Sequence, residues 1–153
     1  IVGSGLAGML VYDADDTVVE DNVVCMTGEH GIEITDSQRG ELRHNTIIQS
    51  GESGVLLRDS SGDWRVTRNL FASNSAFGLT RIADEGSEPS DSQNLYWMNG
   101  NGATEFIEAD GVDYTDVMPS FEGDACEGVL VGDSEAATLI EGGPIGARQS
   151  RQP

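Results

Sequence analysis

The chain has 153 residues, of which 27 are acidic and eight basic, for a formal net charge of −19. All eight basic residues are arginine (Arg39, Arg43, Arg58, Arg65, Arg68, Arg81, Arg148 and Arg151) and lysine is absent. This balance argues against a nucleic-acid partner, which needs a concentrated basic footprint, and no apolar run reaches the 18 or so residues that span a bilayer, so no membrane partner is expected.

In chain order, the first predicted strand follows Gly8 and recurs. Gly8, Gly31, Gly54 and Gly78 are 23, 23 and 24 residues apart, and Asn22, Asn45, Asn69 and Asn94 keep step at 23, 24 and 25. The segments Gly8-Met-Leu-Val-Tyr-Asp13, Gly31-Ile-Glu-Ile-Thr-Asp36, Gly54-Val-Leu-Leu-Arg-Asp59 and Gly78-Leu-Thr-Arg-Ile82 overlay directly. Met9/Val11, Ile32/Ile34 and Val55/Leu57 alternate with period two, as a strand with one buried face requires.

A second strand precedes each asparagine, carrying Val19, Leu42 and Val66 three residues before it, and a third follows, carrying Val24, Ile47, Phe71 and Tyr96. Apolar positions spaced by two and broken by Gly, Asn, Ser and Asp fit helices badly. A repeat of this length cannot bury a core alone and must stack, so an all-β solenoid of about four coils is expected over residues 1–99. Asparagine tolerates left-handed backbone and can bond to the amide of the next coil, so Asn22, Asn45, Asn69 and Asn94 are expected to turn the corner and form a structural ladder.

The fourth coil is interrupted by the acidic stretch 83–91, expected as a surface excursion. After Asn99-Gly-Asn-Gly102 the period is lost, and residues 100–153 are expected as an irregular capping tail of the same domain. Its apolar patches at Phe106-Ile107, Val117-Met118, Phe121, 128–131 and 137–140 predict short strands and packing anchors, with the end from Arg148 frayed. Leu10, Leu56 and Ile82 fall at outward positions, so the tail or another chain is expected to cover that face.

These motifs, with Leu42-Arg-His-Asn45-Thr-Ile47 among them, resemble the right-handed parallel β-helix family, the pectate-lyase-like superfamily, over roughly residues 5–99. The chain starts inside a running repeat, so the resemblance implies the carboxyl-terminal portion of a larger β-helix, or a short one whose uncapped first coil meets another chain. It further implies a polysaccharide lyase, glycoside hydrolase or uronan epimerase, or a non-catalytic structural or assembly module, because this fold serves many functions.

Parallel strands set side chains of adjacent coils about 4.8 Å apart, so columns in register are the candidate sites. Arg43, His44 and Arg68 form the candidate catalytic group, with Glu20, Asp21, Glu41 and Arg65 around them to bind substrate. Arginine beside an imidazole suits removal of a proton next to a sugar carboxylate, with calcium as a possible bridge. The competing reading is a surface ladder of weak ion pairs. Asp13, Asp36 and Asp59, extended by Asp84, form a second column that suits calcium or a pair of hydrolytic carboxylates, or else simply caps turns. The two histidines, His30 and His44, have no transition-metal ligand spacing.

Cys25 and Cys126 either form a disulfide or remain two thiols. The acid excess without lysine fits either salt adaptation, as in halophilic microbes, or a codon bias toward arginine. The reading as a whole is a secreted or cell-surface β-helix that interacts with polysaccharide, with the assembly module as its alternative.

Overall fold

The computed structural model describes residues 1–82, 88–107, 115, 117–121, 123–128, 130–131, 134–138 and 145–148. The first coil holds β1 (Met9–Tyr12), β2 (Val18–Glu20) and β3 (Val23–Cys25), and the second β4 (Ile32–Thr35), β5 (Glu41–Arg43) and β6 (Thr46–Ile48). The third holds β7 (Val55–Arg58), β8 (Arg65–Thr67) and β9 (Leu70–Ala72), and the fourth β10 (Phe77–Ile82), β11 (Ser90–Ser92) and β12 (Leu95–Trp97). A further strand, β13 (Gly102–Glu105), carries the first sheet past residue 99, where the sequence period lapses.

Three parallel sheets result: β1-β4-β7-β10-β13, β2-β5-β8-β11 and β3-β6-β9-β12. The pairing keeps the sequence register, with Met9, Ile32, Val55 and Leu79 side by side in the first sheet. Val19, Leu42 and Val66 align in the second, and Val24, Ile47, Phe71 and Tyr96 in the third. The inward residues Val11, Val19, Val24, Ile32, Ile34, Leu42, Ile47, Val55, Leu57, Val66, Phe71 and Tyr96 form one continuous core. Phe71 and Tyr96 stack in it with ring centroids 5.0 Å apart.

The fourth coil breaks the pattern. In the inward columns, Val11, Ile34 and Leu57 are followed by Arg81, and Val19, Leu42 and Val66 by Asp91. Asp91 is fully buried and accepts hydrogen bonds from Tyr96 Oη (2.8 Å) and Asn94 Nδ2. Of the expected excursion, residues 83–87, Asp84 included, lie outside the described residues, whereas Ser90 to Ser92 belong to β11.

The asparagine ladder forms, but asparagine does not turn the corner. The left-handed residue is the one before it: Asp21 (φ 57), His44 (φ 53), Arg68 (φ 58) and Gln93 (φ 58). This frees each asparagine to bond in both directions along the stack. Asn45 Nδ2 donates to Val19 O (2.8 Å) below and to Asn69 Oδ1 (3.0 Å) above, and Asn69 Nδ2 repeats this with Leu42 O (2.8 Å) and Asn94 Oδ1 (3.0 Å). Asn74 and Asn99 begin a second ladder one strand on, Asn74 Nδ2 donating to Asn99 Oδ1 at 2.9 Å.

The described tail residues lie against the third sheet, not against the Leu10–Leu56–Ile82 face. Leu130, Ala136 and Ile145 join Cys25, Ile48, Leu70, Ala72 and Leu95 in a second cluster outside the coils. The third sheet is the more apolar outer surface, which is why the tail settles there. On the first sheet Leu10 (62 % exposed) stands in the edge strand β1 and Ile82 (59 %) in β10, while Leu56 in β7 between them is 5 % exposed, so the three make no continuous exposed patch. One patch expected as a short strand or packing anchor, 137–140, begins inside a short helix, α1 at Glu135–Thr138, and a 3-10 turn at Ala125–Glu127 lies between the Phe121 and 128–131 patches. Cys25 and Cys126 are bonded, closing a loop across a sequence separation of 101.

Candidate functional site

The outer face of the second sheet and its left-handed corner bring the candidate residues together. In register, Glu20 stands beside Arg43 and Arg43 beside Thr67, while Glu41 stands beside Arg65. One residue on, the corner column runs Asp21, His44, Arg68 and Gln93. A non-glycine residue at positive φ costs about 1 kcal/mol, and its recurrence in every coil points these side chains outward beside the strand columns.

These columns enclose a cleft of about 300 Å³ lined by Arg43, His44 and Arg68, with Glu41, Arg65, Thr67 and Gln93 around them. Arg43 is held from both sides, Nε to Glu20 Oε2 at 2.8 Å and Nη1 to Glu41 Oε2 at 2.9 Å. Arg65 approaches Glu41 at 3.9 Å and is largely exposed. Arg68 Nε donates to Gln93 Oε1 at 3.3 Å. The ion-pair ladder therefore exists, within the same cleft that presents three guanidinium groups and one imidazole.

Asp21 and Glu20 lie at the lower end of this face and are engaged from the tail. Arg148 donates to Asp21 Oδ1 through its main-chain N (3.1 Å) and Nε (2.8 Å), and to Oδ2 through Nη2 (2.6 Å). These bonds hold the Asp21 carboxyl below its ordinary value, the side-chain bonds from Arg148 foremost. Arg148 is thus clamped, not frayed; it was unreadable because its partner lies 127 residues away in sequence.

Asp13 (φ 49), Asp36 (φ 49) and Asp59 (φ 54) occupy the left-handed corner at the end of the first-sheet strands. Asp59 is drawn to Arg58 Nε at 3.2 Å. Among the described residues, no three His, Cys, Asp or Glu side chains gather in a way that would hold a metal ion.

A model of the family described as periplasmic copper-binding protein (NosD) matches residues 1–109. No curated protein and no solved structure matches the chain. Copper sites draw on thiolate, thioether and imidazole donors, and this donor set does not supply one. Both cysteines are consumed by the disulfide. His30 is committed at both nitrogens, Nδ1 accepting from Ser53 N (3.3 Å) and Nε2 meeting Glu52 Oε2 (2.7 Å). Met26 and Met98 take the same corner of the first and fourth coils, about 14 Å apart at the spacing of parallel strands. His44 is the remaining imidazole, and no group of three His, Cys, Asp or Glu side chains includes it, so the described residues do not fit copper, and no chemistry is derived through it.

Among the described residues no helix is long and apolar enough to cross a membrane. With its parallel coils in register and the family match running over residues 1–109, the chain belongs to the NosD family, a periplasmic branch of the right-handed parallel β-helix superfamily, in keeping with the expected place outside the cytoplasm.

Proposed function

We propose that the chain binds an acidic polysaccharide along the outer face of β2-β5-β8-β11, with Arg43, Arg65 and Arg68 taking the sugar carboxylates. The observation that carries this reading is the cleft itself: three arginines and a histidine, from a chain with only eight basic residues and two histidines, meet in one place. None of the described tail residues lines it. A net charge of −19 would repel a polyanion everywhere else, so a local basic cleft supplies both affinity and position.

If turnover accompanies binding, it takes the form of β-elimination. His44 accepts the proton from the carbon beside the carboxylate, the electron pair forms the new double bond, the bond to the leaving sugar oxygen breaks, and that oxygen takes a proton from water. Arg68 and Arg43 offset the charge that builds on the carboxylate. Calcium enters this reading only as a soluble bridge between uronate and Glu41.

The test is titration of polygalacturonate and of a neutral glucan into the protein, with and without calcium, alongside ultraviolet absorbance for unsaturated ends. Saturable binding of the acidic polymer alone, weakened by Arg68→Gln and Arg43→Gln, is the expected result. Equal affinity for both polymers, or none for either, sinks the reading.

A second reading, assembly against another chain, draws on the first coil. Ile1, Val2, Leu6, Leu10, Tyr12, Val18 and Met26 are seven of the eleven exposed large apolar side chains among the described residues. The strands β1 and β2 are also edge strands of their sheets, and such edges invite pairing. Sedimentation over a wide concentration range decides it: a monomer at every concentration removes this reading.

A further inference from the structure

We infer that Arg148, delivered by the tail, sets the sign of the charge along the candidate polysaccharide groove and is a specificity-determining residue for it. This rests on the acidic-polysaccharide reading. Without Arg148 the groove from the first coil to the third carries three carboxylates, Glu20, Asp21 and Glu41, against three guanidinium groups, Arg43, Arg65 and Arg68. Arg148 is the fourth guanidinium, and it turns a balanced surface into a net positive one.

Its position is built, not incidental. Ile145 is buried against the third sheet. Gly146 then takes a left-handed turn (φ 78) and donates its N–H to Arg68 O at 2.9 Å, so the tail is stitched to the residue that lines the cleft. A Cβ at Gly146 would strike Thr46 Oγ1, the same atom that accepts from Ala147 N at 2.9 Å. From there the chain crosses the second coil and ends its described course on Asp21 in the first. Cys126, bonded to Cys25, fixes the tail to that first coil from the other side.

The contacts of Arg148 show how it acts. Its Nη2 lies 2.6 Å from Asp21 Oδ2 and 3.5 Å from Glu20 Oε2, the oxygen that also receives Arg43 Nε at 2.8 Å. Glu20 is thus shared between two guanidinium groups, and Asp21 is neutralised where a bound polyanion would run off the cleft toward the first coil. Arg148 is a positioning residue: it removes repulsion from Asp21 and Glu20, leaving Arg43, Arg65 and Arg68 to meet the ligand. Like charges facing each other across a binding surface discriminate strongly against a partner, so relieving them governs which polymers enter.

The experiment compares the unaltered 153-residue chain with Arg148→Gln, Arg148→Lys and the double variant Arg148→Gln/Asp21→Asn, titrating polygalacturonate at low and high salt, with a melting curve for each to verify folding. Arg148→Gln is expected to weaken binding about fivefold at low salt, the effect of one partly exposed charge, and to flatten its salt dependence. Arg148→Lys is expected to restore most of the loss, and removing the Asp21 charge in the double variant to restore affinity without any cation at position 148. Wild-type affinity in Arg148→Gln overturns the inference. So does a loss that the double variant fails to restore, since Arg148 would then act on the ligand or the fold directly. Wild-type protein that ignores the polymer overturns the reading beneath, and this one with it.

Discussion

Asn45 passes both its main-chain N–H (2.9 Å) and its side-chain N–H (3.0 Å) to the same Oδ1 of Asn69, 24 residues further on. Each rung of the ladder thereby satisfies a corner amide that the strands leave unpaired, in a place that water does not reach. Truncating Asn69 to alanine strands the main-chain N–H of Asn45 and the carbonyl of Leu42 in the interior. The expected loss is about 2–4 kcal/mol. Asn22 is only half-buried at the edge of the stack and donates without receiving from a coil below, so Asn22→Ala is expected to cost less than about 1 kcal/mol. Urea denaturation of both variants checks the contrast; equal losses would show that the ladder is not cooperative with burial.

The fold was legible because the information repeats. Gly8, Gly31, Gly54 and Gly78 give the register directly, and side-chain alternation then places Val11, Ile34 and Leu57 inside. What repeats imperfectly was missed. Asn74 and Asn99 are 25 apart, as Asn69 and Asn94 are, but their column reads Thr27 and Ser50 in the earlier coils, so no shared residue marked it. Arg81 and Asp91 sit where the alternation calls for apolar side chains, and what the sequence does not show is the pair of hydrogen bonds from Tyr96 and Asn94 that satisfies Asp91 inside the fourth coil.

The candidate site was legible in part for the same reason. Arg43, His44, Arg68, Glu41 and Arg65 were found because strand register alone brings them together. The described part of the tail lies elsewhere than expected although the sequence held the clue: the outward positions of the third sheet, Val23, Cys25, Thr46, Ile48, Leu70, Ala72, Leu95 and Trp97, are a more apolar set than Leu10, Tyr12, Glu33, Thr35, Leu56, Arg58, Thr80 and Ile82 of the first. Arg148 carries no local signal, since a single long-range ion pair leaves no pattern in sequence.

Opening the bond between Cys25 and Cys126 releases a loop of about a hundred residues, which on chain-entropy grounds removes about 4–5 kcal/mol. Cys126→Ser is expected to lower the urea midpoint accordingly. It should also expose the tail to protease before the coils, because the second cluster loses its covalent anchor while the main core is untouched. Simultaneous cleavage of tail and coils would contradict that order.

The Arg148 clasp gives a pH dependence of known sign. The folded-state value of Asp21 is lowered, chiefly by hydrogen bonds from Arg148, so its contribution is complete above the ordinary value of 3.8 and disappears as pH falls through the lower folded value. Protection of the tail from an acid-active protease is expected to hold from neutral pH down to 3.8, to decline below that, and to be gone once pH has passed through the lowered folded value. In Asp21→Asn that acid step is expected to vanish. An unchanged step in the variant would assign it to other carboxylates.

Among the described residues copper should find no tight site. His30 is held by Ser53 and Glu52, and both sulfurs of the cysteines are bonded to each other. Calorimetric titration with Cu(II), and with Cu(I) under a chelator, is expected to show only the weak, non-saturating heat of surface imidazole and carboxylate. A stoichiometric complex that survives desalting, and is lost in His44→Ala, would overturn this.

Salt should stabilise the protein. The carboxylates of Asp13, Asp36 and Asp59 recur coil after coil on one corner, and 27 acidic residues face only eight arginines, so like-charge repulsion opposes the compact state along the whole stack. Sodium chloride also screens the exposed pairs of Arg39 with Asp15 and Asp16, but pairs this exposed contribute little, and the uncompensated negative charges far outnumber them. The melting temperature is therefore expected to rise steadily from low salt into the molar range, and to rise more with magnesium at equal ionic strength, because a divalent ion neutralises adjacent carboxylates of neighbouring coils more effectively. A melting temperature that falls with sodium chloride would mean that the arginine ladders outweigh the repulsion, and the acid excess would then have no part in salt adaptation.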